Sequence, residues 1–326
     1  MRIVVCLTFC SILWSGCSGE RPRPNQPSQA DAASTKTSMA TTMTPAFSGA
    51  RAFELLRKQV SFGPRNPNSA GHGACLQYLS STLQQLADRV ELEDFIHAGY
   101  GGEKLQLTNL IAAFKPQAAT RIMLCAHWDT RPRAERDQNK SRRNEPMLGA
   151  NDGASGVAVL LEIARLLNTA PPAVGVDIVL FDGEDYGTEG DRESYLLGSR
   201  YFAAHKRRDY VPKFGILLDM VGDRELEIPK ELNSLRFAPD VVQLVWDSAR
   251  ELGITQFVDE VGEEVLDDHW PLNSAGIKTV DLIDFNYPDL SNRFWHTHED
   301  VPENCSAESL EAVGTVVTHV VYKQRP

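Results

Sequence analysis

The chain has 326 residues, 42% hydrophobic and 24% charged, with a formal net charge of −11. These are ordinary values for one large globular domain or two small ones. The acidic balance offers no footing for nucleic acid as a partner, and an acidic metal site would contribute to its sign.

Met1-Arg2 makes a short positive start, and Ile3 to Trp14 is an apolar run too short to span a bilayer comfortably. The run ends in Leu13-Trp14-Ser15-Gly16-Cys17, which resembles a bacterial lipoprotein cleavage box, although Trp14 stands where a smaller aliphatic residue is usual. Residues 1–17 are therefore expected to be a signal peptide ending at a lipidated Cys17 in the cell envelope. Ordinary cleavage to a soluble periplasmic or secreted protein, or retention as an anchor, are the alternatives. Residues 18–46 are rich in Pro, Ser, Thr, Ala and Gln, bury too little surface to fold, and read as a tether. That leaves 47–326 as a single domain. Cys75, Cys125 and Cys305 remain within it; three cysteines make no disulfide scaffold, and nothing in their spacing pairs them.

Helical spacing runs from Ala50 to Val60 and from Gly71 to Leu86, separated by the breakers Gly63-Pro64 and Pro67-Asn68-Ser69. Strands are expected at Val90–Ile96, Leu105–Phe114 and Arg121–Ala126, the last delivering His127 and Asp129. Arg131 to Met147 is charged and reads as an excursion over the surface. Gly149 to Gly156 is a turn opening a helix at Val157–Leu167, and Val176–Leu180 is a buried strand. A helix over Tyr195–His205, a strand over Phe214–Leu218, a helix over Asp240–Leu252, a strand over Lys278–Ile283 and a helix over Ser306–Tyr322 complete the reading. Alternation of this kind predicts an α/β fold, a mostly parallel mixed central sheet with helices on both faces.

In such sheets the site lies beyond the carboxyl ends of the strands. The polar residues fall there: His127 and Asp129 after one strand, Glu184 and Asp185 after another, Asp219 after a third, Asp152 before a helix, and Trp295-His296 in the last long loop. Taken singly, each has an ordinary alternative. Asp152 could be a helix cap, Asp219 a turn residue, His127 a core histidine and Glu184-Asp185 a solvated turn. Converging on one edge, a histidine and two carboxylates can hold a catalytic zinc, with Glu184 beside it as the proton carrier.

The segments AHWD (126–129), GANDGASG (149–156), DGED (182–185), LLD (217–219) and WHT (295–297) resemble, in order and spacing, the zinc-dependent exopeptidase superfamily. Within it, FGPR (62–65), GSRYF (198–202), LLDMVG (217–222), DDH (267–269) and DLIDF (281–285) resemble the animal-type glutaminyl cyclases that also occur in bacteria. The resemblance covers about residues 50 to 322.

It implies one zinc ion held by Asp152, Asp185 and His296, with Glu184 as the acid/base carboxylate. It further implies Asp219 as the hydrogen-bonded partner of Glu184, Asp267 as another active-site acid and Trp295 as an aromatic wall. Asp281 falls where the animal enzymes have a histidine of the substrate-pocket network. A second pocket tryptophan expected after the paired acids is missing, and Trp128 or Trp270 are the substitutes to test. The implied activity is conversion of the N-terminal glutamine of peptides or proteins to pyroglutamate with release of ammonia. The rival is a di-zinc aminopeptidase in which His127 and Asp219 bind a second metal and Asp152 bridges. A binding lipoprotein without activity would be expected to have lost Glu184 or a ligand, and none is lost.

Overall fold

The computed structural model describes residues 11–16, 19, 44–188 and 190–326. Cys17 and nearly all of the expected tether lie outside the described residues. The chain divides into Met1–Thr41 and Thr42–Pro326, and every helix and strand among the described residues falls in the second unit. None of these helices is long and apolar enough to cross a membrane.

Helices α1 (Gly49–Val60) and α2 (Ala70–Leu86) precede strands β1 (Arg89–Ala98), β2 (Lys104–Phe114) and β3 (Arg121–His127). Then follow α3 (Ser155–Thr169), β4 (Gly175–Phe181), α4 (Leu197–His205) and β5 (Gly215–Asp219). The last third holds β6 (Ile228–Lys230), α5 (Leu232–Phe237), α6 (Pro239–Leu252), β7 (Phe257–Val261), α7 (His269–Ser274), β8 (Thr279–Ile283) and α8 (Ala307–Lys323). Serine hydroxyls start three of the helices by accepting a backbone N–H of the first turn. Ser48 takes that of Arg51 at 3.3 Å, Ser69 that of His72 at 3.0 Å and Ser306 that of Ser309 at 3.1 Å.

The main sheet has the order β1-β2-β4-β3-β5-β8. β4, β3, β5 and β8 run parallel, and the β1–β2 hairpin joins β4 antiparallel. All seven residues of β4 are buried, because helices cover both faces; the strand is apolar except for Asp177, which is paired with Arg121. Alternation in β3 divides the core. Ile122, Leu124 and Ala126 join the large cluster under α1, α3 and α8, whereas Met123 and Cys125 pack with Phe202 of α4 and Leu272 of α7. Cys75, Cys125 and Cys305 are buried free thiols.

Two expectations change. α4 starts at Leu197 rather than Tyr195, since Leu196 sits in the left-handed region at φ 61° and Tyr195 is extended. The stretch from Arg131 to Met147 is no simple surface excursion: Arg131, Ala134 and Met147 are fully buried beneath the strand ends.

Candidate active site

The four parallel strands run out at one edge into polar turns. Two fully buried carboxylates hold the main turns in place through backbone amides. Asp129 accepts the N–H of Glu184 at 3.0 Å and that of Asp185 at 3.3 Å. Asp300, itself bonded by the Tyr287 hydroxyl at 3.1 Å, accepts the N–H of Asn151 at 2.7 Å and of Asp152 at 3.2 Å. Gly156 lets α3 begin directly on the sheet, because a Cβ there would lie 2.1 Å from the Leu218 carbonyl oxygen. The loops carrying Asp152 and Glu184-Asp185 thus face each other across the ends of β3 and β5.

Two ligand-type clusters share Asp152. In one, Asp152, Asp185 and His296 each place a donor atom within 4.8 Å of the others. His296 Nε2 lies 3.4 Å from Asp185 Oδ1 and 3.7 Å from Asp152 Oδ2. Ligands at roughly 2.0 Å from a tetrahedral zinc stand about 3.3 Å apart, so the trio is close to the required spacing. Asp185 Oδ2 is buried with no hydrogen-bond partner, as a carboxylate awaiting a cation would be. His296 has φ 56°, a left-handed backbone that a side chain normally avoids and that sites tolerate where geometry demands it.

In the other cluster, His127 Nε2 lies 3.2 Å from Asp152 Oδ1 and 3.1 Å from Asp219 Oδ1, the latter at hydrogen-bond geometry. Asp219 is therefore hydrogen-bonded to His127, and it lines the same cavity as Glu184. The reason lies in the strand order: β5 is the direct neighbour of β3, so Asp219 and His127 end adjacent strands.

A cavity of about 320 Å³ opens over the first cluster. Glu184, Asp185, Asp152, Asp219, Asp267 and His296 form its floor, and Trp295, Phe285, Ile283 and Tyr195 its walls. Trp295 stacks on His296 with ring centroids 3.7 Å apart and meets Phe285 edge-on at 4.9 Å. Neither substitute tryptophan lines this cavity. Trp128 is fully buried against His72, and Trp270 packs on Phe237. Tyr195 stands on the open side instead, against Gly187, where a Cβ would fall 2.0 Å from the Tyr195 ring. Asp281 is also corrected. It lies two residues below Ile283 on β8, fully buried, 3.5 Å from His269 Nδ1, and takes no part in the cavity wall.

The floor is crowded with carboxyls removed from water. Burial, followed by the charges of Asp267, Asp185 and Asp268, pushes the Glu184 carboxyl well above the carboxylate range, with His127 opposing. Burial likewise raises Asp267 far above its ordinary value, with the negative charge of Asp219 next in size. Asp152 is pushed up to about 6 by burial and by Asp185. Asp185 goes the other way: burial would raise it, but Arg131 and His296 outweigh burial and hold it ionised. Acids with opposite tendencies side by side suit one to bind a cation and the other to carry a proton.

Residues 109–321 match peptidase family M28. This chain belongs to that family. As an M28 protein it is 41% identical to Bacteroides thetaiotaomicron glutaminyl cyclase, whose structure bound to N-acetylhistamine superposes with a TM-score of 0.83 over 87% of this chain and 100% of that one. It is 38% identical to a Zn-dependent exopeptidase from Parabacteroides distasonis, also at TM-score 0.83, over 86% of this chain and 100% of the other. Aminopeptidase YwaD of Bacillus subtilis is 26% identical over 298 residues, 84% of this chain. The M28 chain spans only 57% of YwaD's length.

Zinc fits the donor set: two carboxylates and an imidazole, buried, correctly spaced and with an unpartnered oxygen. Sequence reasoning missed Arg131, Glu135 and Tyr195, which surround Asp185 and His296. Charged residues in a charged stretch read as solvated, and Tyr195 read as the start of a helix.

Proposed function

We propose that this M28 protein is a glutaminyl-peptide cyclotransferase acting on peptides or proteins with an N-terminal glutamine. The observation that carries the reading is the 41% identity to a glutaminyl cyclase across 87% of the chain. One zinc is held by Asp152, Asp185 and His296, and when bound it supplies Lewis-acid polarisation of the substrate's side-chain amide. In support of an ion at this trio, its Asp185 Oδ2 is buried without a partner, whereas Asp219 Oδ1 of the rival cluster is hydrogen-bonded to His127 at 3.1 Å.

Glu184 takes a proton from the substrate α-amino group as its nitrogen bonds to the side-chain carbonyl carbon. It returns that proton to the departing amide nitrogen, which leaves as ammonia, so Glu184 ends as it began. Asp267 is a second buried acid beside Glu184, and the ionised Asp185 favours the protonated form of Glu184 between the two steps. Trp295, Phe285 and Tyr195 hold the glutamine side chain and restrict water, which would otherwise yield glutamate. The chain is exported and anchored by a lipid on Cys17, a reading supported by the Ser15-Gly16-Cys17 box.

A second reading, aminopeptidase, draws on the His127-Asp152-Asp219 cluster and on the likeness to YwaD. The reaction products separate the two: purified protein with a glutaminyl peptide gives ammonia and an uncut backbone if it is a cyclase, and a free amino acid if it is a peptidase.

A further inference from the structure

We infer that Arg131 is a positioning residue that locks Asp185, His296 and the Tyr195 wall together, so that one guanidinium governs both zinc retention and the seat of the substrate side chain. This rests on Asp185 and His296 being zinc ligands. Arg131 is fully buried just beyond the end of β3, and its donors fan out to three separate parts of the site. Nη1 bonds Asp185 Oδ1 at 2.6 Å and the Asp185 carbonyl at 3.2 Å. Nη2 bonds the Tyr195 hydroxyl at 2.9 Å. Nε bonds Glu135 at 2.7 and 2.8 Å, and Glu135 in turn lies 3.6 Å from His296 Nδ1.

The consequences follow from the geometry of a planar fork with five donors. Asp185 cannot swing, because one oxygen and the backbone carbonyl are gripped by the same nitrogen; Oδ2 stays unpartnered. The Glu135 carboxylate lies behind the His296 ring at ion-pair distance, on the side from which outer carboxylates orient metal-bound histidines. Tyr195, lacking any helical support because α4 starts after it, is steadied by the guanidinium, to which its hydroxyl is bonded. A cation this close to a metal site would repel zinc on its own, but it is shared between Glu135 and the ionised Asp185. Beyond its charge the fork contributes geometry, which a lysine, with a compact ammonium on a flexible stem, cannot reproduce.

The test uses variants that keep the net charge and break the fork: Arg131→Lys, and the double change Arg131→Met with Glu135→Gln. Zinc affinity is read by competition with a chromogenic chelator in the absence of substrate, and KM and kcat with a glutaminyl peptide. Both variants should hold zinc about 10- to 100-fold more weakly. Tyr195→Phe removes one hydroxyl only. It should leave zinc affinity at the wild-type value and raise KM by about three- to tenfold with kcat little changed. Wild-type zinc affinity in both charge-conserving variants would overturn the inference, as would a Tyr195→Phe protein that loses zinc as readily as Arg131→Lys. A wild-type protein that releases amino acid instead of ammonia would overturn the cyclase reading alone, since the zinc competition does not depend on the reaction.

Discussion

His127 Nε2 and Asp219 Oδ1 lie 3.1 Å apart in a hydrogen bond, whereas His296 Nε2 approaches Asp185 and Asp152 only at 3.4 and 3.7 Å. Both sets are close enough to hold an ion, but only the second contains a carboxylate oxygen, Asp185 Oδ2, that is buried without a partner. His296→Ala should therefore strip the zinc and the activity together, while His127→Ala should still carry one zinc per chain. Metal analysis of the two purified variants decides this, and two ions in the wild type that fall to one in His127→Ala would favour the di-zinc reading.

Glu184 lines the cavity one residue before a proposed ligand. Glu184→Gln keeps its shape and removes the exchangeable proton. Turnover should fall by about a hundred- to ten-thousand-fold, the usual weight of general acid/base catalysis, with zinc content unchanged. Steady-state rates and metal analysis on the same sample check it; undiminished cyclisation would remove Glu184 from the chemistry.

Glu231 caps α5, accepting the N–H groups of Asn233 at 2.8 Å and Ser234 at 2.5 Å, and lies 3.3 Å from His269 Nε2. Burial alone would raise its carboxyl, but His269 and those amides outweigh burial and pull it down to about 2, from an ordinary value of 4.5. A depressed carboxyl stabilises the fold fully above its unfolded value and ceases to as pH falls through the folded one. Glu231→Gln should thus cost about 1–2 kcal/mol at pH 7. The gap to wild type should close as pH drops from 4.5 toward about 2. Urea unfolding at neutral and acid pH measures it, and an equal gap at both would contradict the argument.

Cys17 lies outside the described residues, so the lipid anchor stands on the Ser15-Gly16-Cys17 box and the apolar run before it. Expression of Cys17→Ser in the native host should move the protein from the membrane fraction to the soluble one. An unchanged membrane fraction would remove the anchor.

Much of the fold was legible because the buried strands announce themselves. Val176–Leu180 is apolar but for Asp177, and β4 is indeed covered on both faces. The short elements were not: β6 has three residues, and α5 and α7 six each, too few for a period to show. The residues at the sheet edge were legible because strand ends converge in any parallel sheet. Asp281 was placed by the resemblance alone, and only the folded chain shows it buried beside His269. Arg131 escaped notice for another reason. Its charge is satisfied by Asp185, which is distant in sequence, and by Glu135, and only the folded chain reveals the first of these.

The most direct test of the central claim is a product analysis of the wild-type protein. Purified, zinc-loaded enzyme is incubated with a peptide bearing N-terminal glutamine and, in parallel, with an aminoacyl chromogenic substrate, while ammonia, peptide mass and free amino acid are followed together. The predicted result is ammonia in step with a peptide that loses one ammonia in mass and keeps every residue, and no cleavage of the aminoacyl substrate. Release of a free amino acid with no ammonia would contradict it.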